Sequence, residues 1–141
     1  MPIDPKILLT GRIRRDINID RTKKYLYSFL ASKFDTDNRH IFFLSMRAGL
    51  FYEKKINLKN RQALFNFPTP EDIEEMIFVY YYDTKGNIKN NIFPASEVLS
   101  TAERYANGGI DKLFGLFSNK EKSDYRVIED LLDLLETTLN N

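Results

Sequence analysis

A mainly α-helical single domain is what the sequence predicts: a compact bundle of five or six helices, with room for a small β element near the N-terminus or around 56–66. Three observations predict it. Apolar residues recur at three- and four-residue spacing through most of the chain. A helix-start signal stands at Thr69-Pro70-Glu71-Asp72. The 141 residues are 43% hydrophobic, with 11 Phe, 8 Tyr and no Trp, which suits one core rich in aromatic rings.

Residues 1–19 read as a basic N-terminal arm and residues 20–138 as the helical domain. Pro2 and Pro5 bracket an extended start. "GRIRRDINIDR" then alternates Ile13, Ile17 and Ile19 with charged residues, the pattern of a short strand or an ordered arm lying on the body. Asp20 is a potential N-cap for "RTKKYLYSFLASKF", where Tyr25, Phe29 and Leu30 fall at helical spacing with Leu26 and Phe34 nearby. After the break "DTDN", the run from Arg39 to Lys55 is apolar on most sides and predicts a central buried helix. Its Ser45, Ala48 and Gly49 are small enough to let a neighbouring helix approach, and His40 at its start reads as a packed or capping residue.

"INL", Ile56 to Leu58, is a candidate strand. Thr69 at N-cap and Pro70 at the first helical position open the next helix, with Ile73, Met76, Ile77 and Tyr80 on one face. Two periods compete over 77–93, because "FVYYYDTKGNIKNNIF" also fits a β-hairpin; the cap and the apolar spacing favour the helix. A further helix starts near Ser96, its inner face Val98, Leu99, Ala102, Tyr105 and Ala106. Asn107-Gly108-Gly109 reads as a stop, since Asn and Gly tolerate the left-handed backbone that closes helices. Ile110, Leu113, Phe114 and Phe117 then predict an immediate restart, so the glycine pair is expected to be a structural joint between two helices. It lacks the glycine spacing and the Lys-Ser/Thr of a phosphate loop, and Asp111 beside it would repel an anion. "YRVIEDLLDLLETTL" predicts the last helix.

Composition narrows the chemistry. No cysteine means no disulfide, no thiol nucleophile and no Cys-based zinc site, and suits a cytoplasmic protein. One histidine, His40, argues against a His-based metal centre or a Ser-His-Asp relay. No apolar run approaches the roughly 20 residues of a membrane span, and the charges near the N-terminus follow a short apolar patch, the reverse of a secretory signal. No catalytic constellation and no cofactor are expected. The acids Glu71, Asp72, Glu74, Glu75, Glu129, Asp130 and Asp133 read as solvated helix faces rather than as the converging carboxylates of a metal nuclease.

The net charge of +1 conceals an asymmetry. Residues 1–70 hold 14 Lys and Arg against 6 Asp and Glu, leaving +8; residues 71–141 hold 7 against 14, leaving −7. Either the halves neutralise each other by packing together or a basic face meets nucleic acid or an acidic partner. Candidate phosphate contacts are Arg12, Arg14, Arg15, Arg21, Lys23, Lys24, Arg47, Lys54 and Lys55, with Arg39, Lys59 and Arg61 as further cations. No base-reading signature such as a helix-turn-helix is present. Phe51, Tyr52 and Tyr80–Tyr82 are candidate docking aromatics if exposed, though core positions suit most of them.

Three segments together, "IFFLSMRAGLFYEKKINL" (41–58), "AERYANGGIDKL" (102–113) and "VIEDLLDLL" (127–135), occur in this order and at similar separations in small proteins encoded beside bacterial DNA phosphorothioation (Dnd) gene clusters. The chain resembles these Dnd-associated proteins of anti-phage restriction systems over most of residues 20–135, with "YANGG" the most specific part. The resemblance implies a helical accessory or adaptor protein of a defence locus, non-catalytic, working by contact with protein subunits of a DNA-processing complex. It carries over no catalytic residues, and the basic arm lies outside it. Direct nucleic-acid binding through the basic half is the alternative. Oligomeric state, homo-oligomers included, stays open.

Overall fold

The computed structural model describes residues 8–87 and 92–118, together with 126, 128, 129, 132 and 133. The elements run β1 (Leu8–Thr10), β2 (Asp16–Asp20), a 3-10 turn (Arg21–Lys23), α1 (Lys24–Lys33), α2 (Asn38–Phe51), β3 (Arg61–Asn66), α3 (Pro70–Asp83), β4 (Ile92–Pro94) and α4 (Ala95–Phe117). The protein is thus mainly helical with a small β component, carried by four α-helices among the described residues rather than five or six. The predicted last helix falls, apart from those five residues, outside the described residues.

Local signals account for most boundaries. Asp20 accepts the Thr22 N–H at 3.1 Å and caps the 3-10 turn. Asp37 accepts the His40 N–H at 2.9 Å and caps α2, and His40 Nδ1 lies 2.7 Å from the same carboxylate. At α3, the Thr69 hydroxyl takes the Asp72 N–H and the Asp72 carboxylate takes the Thr69 N–H, a reciprocal capping box behind Pro70. The Arg39 guanidinium straddles Asp72 (Nε–Oδ2 2.9 Å) and so fastens the start of α2 to the start of α3. α3 continues to Asp83, so helix prevails over hairpin from 77 onward; residues 88–91 lie outside the described residues.

The 23-residue α4 is the spine. Val98, Leu99, Ala102, Tyr105, Ala106, Ile110, Leu113 and Phe117 are buried along it, and α2 crosses it with Ile41, Phe42, Ser45, Met46, Ala48 and Gly49. Full burial of each large apolar side chain contributes roughly 1.5–3 kcal/mol. α1 presents Leu26, Tyr27, Leu30 and Ala31 to this core. The expected inner residues Tyr25 and Phe29 are instead 64% and 41% exposed, packed edge-on around Phe114. Six of the ten α1 residues from Lys24 to Lys33 are aromatic or aliphatic, so two stripes are available. The helix buries the one whose Tyr27 hydroxyl reaches the Ala106 carbonyl (3.4 Å).

The glycine pair is the main correction. Asn107, Gly108 and Gly109 do not form a joint; α4 passes through them without interruption. A Cβ on Gly109 would collide with the Ser45 carbonyl and lie 2.6 Å from the Gly49 nitrogen, one on Gly49 would strike the Tyr105 carbonyl, and one on Gly108 would strike Lys54. The glycines let the α2 and α4 backbones touch. Asn107 extends the seam: its Nδ2 donates to the carbonyls of Ile56 and Asn57 (3.2 Å each), so the chain after α2 lies along α4. "INL" is accordingly a docked loop, and the strand lies further on, at β3.

β1 pairs in parallel with β4, and β2 pairs antiparallel with β3. The segment expected as an arm therefore contributes two strands from residue 8 onward, and residues 1–7 lie outside the described residues. Ile17 and Ile19 of β2 are buried. Between Ile17↔Phe65 and Asn18↔Ala63 the register shifts, leaving Leu64 as the extra residue of a bulge.

Candidate nucleic-acid interface

β2 is preceded by "GRIRR" and β3 is followed by "FP", so the antiparallel pairing brings residues 12–16 beside Phe67 and Pro68. They enclose an open groove of about 790 Å³ lined by Arg12, Ile13, Arg14, Arg15, Asp16, Asn18, Phe67 and Pro68. The Phe67 N–H donates to the Arg15 carbonyl at 2.7 Å, closing the end of the ladder. Phe67 has φ +57°, unusual for a bulky residue, and its ring is 70% exposed with the Arg15 guanidinium 5.3 Å from its centroid.

The three groove arginines differ in what they can do. Arg14 makes a bidentate ion pair with Glu103 of α4 (2.8 and 3.1 Å). Glu103 is fully buried, and it also accepts the Asn18 N–H at 2.6 Å and faces Arg61 Nη1 at 3.4 Å. Four donors thus surround one desolvated carboxylate and bind β2 to the spine. Arg14 is spent on that role. Arg12 is exposed with no ion pair among the described residues, and Arg15 has a loose contact with Asp16 (3.5 Å) and its side chain 67% exposed.

The remaining candidate cations divide in the same way. Lys23 bridges the Asn107 carbonyl and Asp111 (2.8 Å each), Arg47 pairs with Glu75 (2.8 Å), and Lys55 pairs with Asp83 (2.9 Å). Arg21 and Lys24 are exposed, as is Lys54 on the loop after α2, and none of them forms an ion pair among the described residues. Arg21 follows β2 directly, its N–H held by the Asn60 carbonyl (2.7 Å), so Arg15 and Arg21 bracket the strand. Most of the pairs join a basic-half residue to an acidic-half one: Arg14–Glu103, Lys23–Asp111, Arg39–Asp72, Arg47–Glu75 and Lys55–Asp83. Some cations are therefore neutralised internally, as packing of the two halves against each other implies, and others face solvent.

Two residues of this site were not singled out from the sequence: Phe67 and Glu103. Glu103 had a legible signal, a carboxylate one turn beyond Leu99 on an otherwise apolar stripe. The aromatics named as docking candidates if exposed, Phe51, Tyr52 and Tyr80–Tyr82, are half-buried; among the described residues the exposed rings are Tyr25, Phe29 and Phe67. No group of three or more acids or histidines poised to hold a metal ion occurs among the described residues, and none of their helices is long and apolar enough to cross a membrane.

A second cavity of about 520 Å³ lies where α2 and α3 end beside Tyr105. Its charged centre is Asp83, which accepts Tyr105 Oη (2.6 Å) and Lys55 Nζ (2.9 Å). Burial alone would push the Asp83 carboxyl up; these two bonds together hold it below the usual value of 3.8. Asp20 is lowered likewise, desolvation being outweighed by donors from Lys59 and Thr22. Folded-state values below unfolded ones stabilise the fold at and above ordinary carboxylate pKa, and the contribution disappears as pH falls through the lower, folded values. The urea midpoint is therefore expected to be flat at neutral pH and to drop on acidification below about pH 4. Asp83→Asn should blunt that drop; an unchanged acid profile in this variant would remove Asp83 from the explanation.

Comparison of the chain with protein-family models, with curated proteins and with solved structures finds no match.

Proposed function

We propose that this protein is a non-catalytic binding module that holds the backbone of a nucleic acid across the groove between residues 12–16 and Phe67–Pro68. The observation behind this is the pair Arg12 and Arg15: two exposed guanidiniums on the segment that links β1 to β2, left over after Glu103 has taken Arg14. Exposed guanidiniums are suited to phosphate oxygens, and Arg21, Lys24 and Lys54 add unpaired positive charge. The Dnd-associated resemblance supports a setting for this binding: an accessory protein of a bacterial anti-phage DNA modification–restriction assembly.

Salt dependence tests the reading. Each contact to phosphate contributes about −0.9 to the slope of log K against log salt on duplex and about −0.7 on single strands. Removing Arg12 and Arg15 together, as alanines, is expected to make that slope shallower by roughly 1.4–1.8 while the melting temperature stays within a few degrees. Affinity that ignores salt, or a double variant that binds like the parent, counts against the groove.

A protein-contact reading has one observation of its own. Tyr25 and Phe29 pack around Phe114 as an exposed aromatic cluster, with Lys33 5.7 Å from the Phe29 centroid. Purification from the native host with and without nuclease separates the two: a partner that survives nuclease treatment and is lost in Tyr25→Ser/Phe29→Ser is held by protein contact.

A further inference from the structure

The Phe67 ring is the feature of the groove that phosphate binding does not use. A large apolar side chain is 70% exposed, on a left-handed backbone, beside arginines. The left-handed region is unfavourable for a residue with a Cβ, and more so for a bulky one. Here the conformation is over-determined: the Phe67 N–H is tied to the Arg15 carbonyl, and Pro68 and Thr69 lead directly into the capping box of α3. The outcome is a ring fixed at the groove's edge, not tucked into the core that begins a few residues on at Asp72 and Ile73. Backbone held in a sparsely populated region while presenting a side chain to solvent is typical of ligand-contacting positions.

Resting on the nucleic-acid reading above, we infer that the groove takes a single-stranded polynucleotide, with an unpaired base stacked at the Phe67–Arg15 platform and the flanking phosphates on Arg12 and Arg15. The Arg15 guanidinium lies over one face of the Phe67 ring, and the ring's exposure leaves flat surface against which the π-face of any base can lie. A paired base in a duplex has both faces covered by its neighbours and cannot reach this ring. The groove volume of about 790 Å³ is open rather than enclosed, which suits a strand passing through with one base inserted. The sugar is not read by this geometry, so DNA and RNA strands share the chemistry.

The test uses the full chain and fluorescence anisotropy with labelled oligothymidine, oligouridine and a DNA duplex of matched length. Single strands are expected to bind more tightly than the duplex. Phe67→Ala should weaken single-strand binding roughly tenfold, in line with the loss of one stacked base, and leave its salt slope intact. Phe67→Tyr should restore it. Phe67→Gly provides the structural control: it relieves the left-handed strain, so the melting temperature should hold or rise while affinity falls as in the alanine variant. Duplex bound as tightly as single strand, or single-strand affinity indifferent to Phe67→Ala, overturns the stacking inference and leaves phosphate binding standing. No binding to any of the three oligonucleotides at low salt overturns both.

Discussion

Gly109→Ala is expected to destabilise the fold by about 3 kcal/mol or more, lowering the melting temperature by roughly 10 °C, whereas Gly115→Ala on the same helix is expected to gain up to about 1 kcal/mol. The two substitutions are chemically identical and six residues apart. At Gly115 a Cβ meets nothing within 4 Å, so only the helix propensity of alanine is felt. At Gly109 it meets the Ser45 carbonyl and the Gly49 nitrogen. Those are backbone atoms of a packed helix and cannot rotate aside as a flexible side chain would. Relief requires α2 and α4 to move apart, which loosens Met46, Ala102, Ala106 and Ile110 at once. Gly108→Ala and Gly49→Ala meet Lys54 and Tyr105 backbone and should behave like Gly109→Ala. Chemical denaturation followed by circular dichroism measures all four, and equal, small effects at positions 109 and 115 would mean that the helices do not touch.

The glycine pair also shows where a one-dimensional reading loses information. The capping box at Thr69 and the caps at Asp20 and Asp37 were legible because their donors and acceptors lie two or three residues apart. The inner face of α4 was legible because its period is local. Gly108 and Gly109 obey a different constraint, set by residues some 60 positions earlier. Half of it is visible in the small residues Ser45, Ala48 and Gly49, which predict a close-approaching helix; the matching half carries the commoner local meaning of Asn-Gly-Gly, a helix stop. The β2–β3 ladder joins Asp20 to Arg61 across 41 residues and has no turn signal linking them, so only a β element near the N-terminus or around 56–66 was legible, not their pairing.

The groove divides along the same line. Positive charge at Arg12, Arg14 and Arg15 is plain in the sequence, and nothing local distinguishes the three. What separates Arg14 from the others is a carboxylate 89 residues away. Phe67, one residue before a proline in a run already rich in aromatics, carries no sequence mark of exposure; its outward placement follows from the end of one ladder and the start of one helix cap meeting within three residues.

Glu103 supplies the second large effect, and its sign differs between stability and binding. Truncation to alanine leaves Arg14, the Asn18 N–H and the inner side of Arg61 facing a dry space where a charge stood. Removing one member of a fully buried ion pair costs about 3–5 kcal/mol; the Arg14 side chain is 34% exposed and regains water, so the expected cost here is about 2–3 kcal/mol, part of it from the unpaired Asn18 N–H. Glu103→Ala should therefore unfold at much lower denaturant, with β2 the first element released. Glu103→Gln keeps the side-chain shape and an oxygen for the Asn18 N–H, and sets an amide beside the Arg14 fork in place of a charge; a smaller loss is expected. In that variant Arg14 is no longer neutralised, so the groove gains a cation, and the salt slope for an oligonucleotide should steepen by about 0.7 on a single strand. A buried carboxylate that merely filled space would give neither result. If Glu103→Gln instead flattens the slope, Glu103 acts by aiming Arg14 at the ligand rather than by withholding it. Arg14→Ala then decides the matter, because it leaves binding untouched only if Arg14 is fully engaged by Glu103.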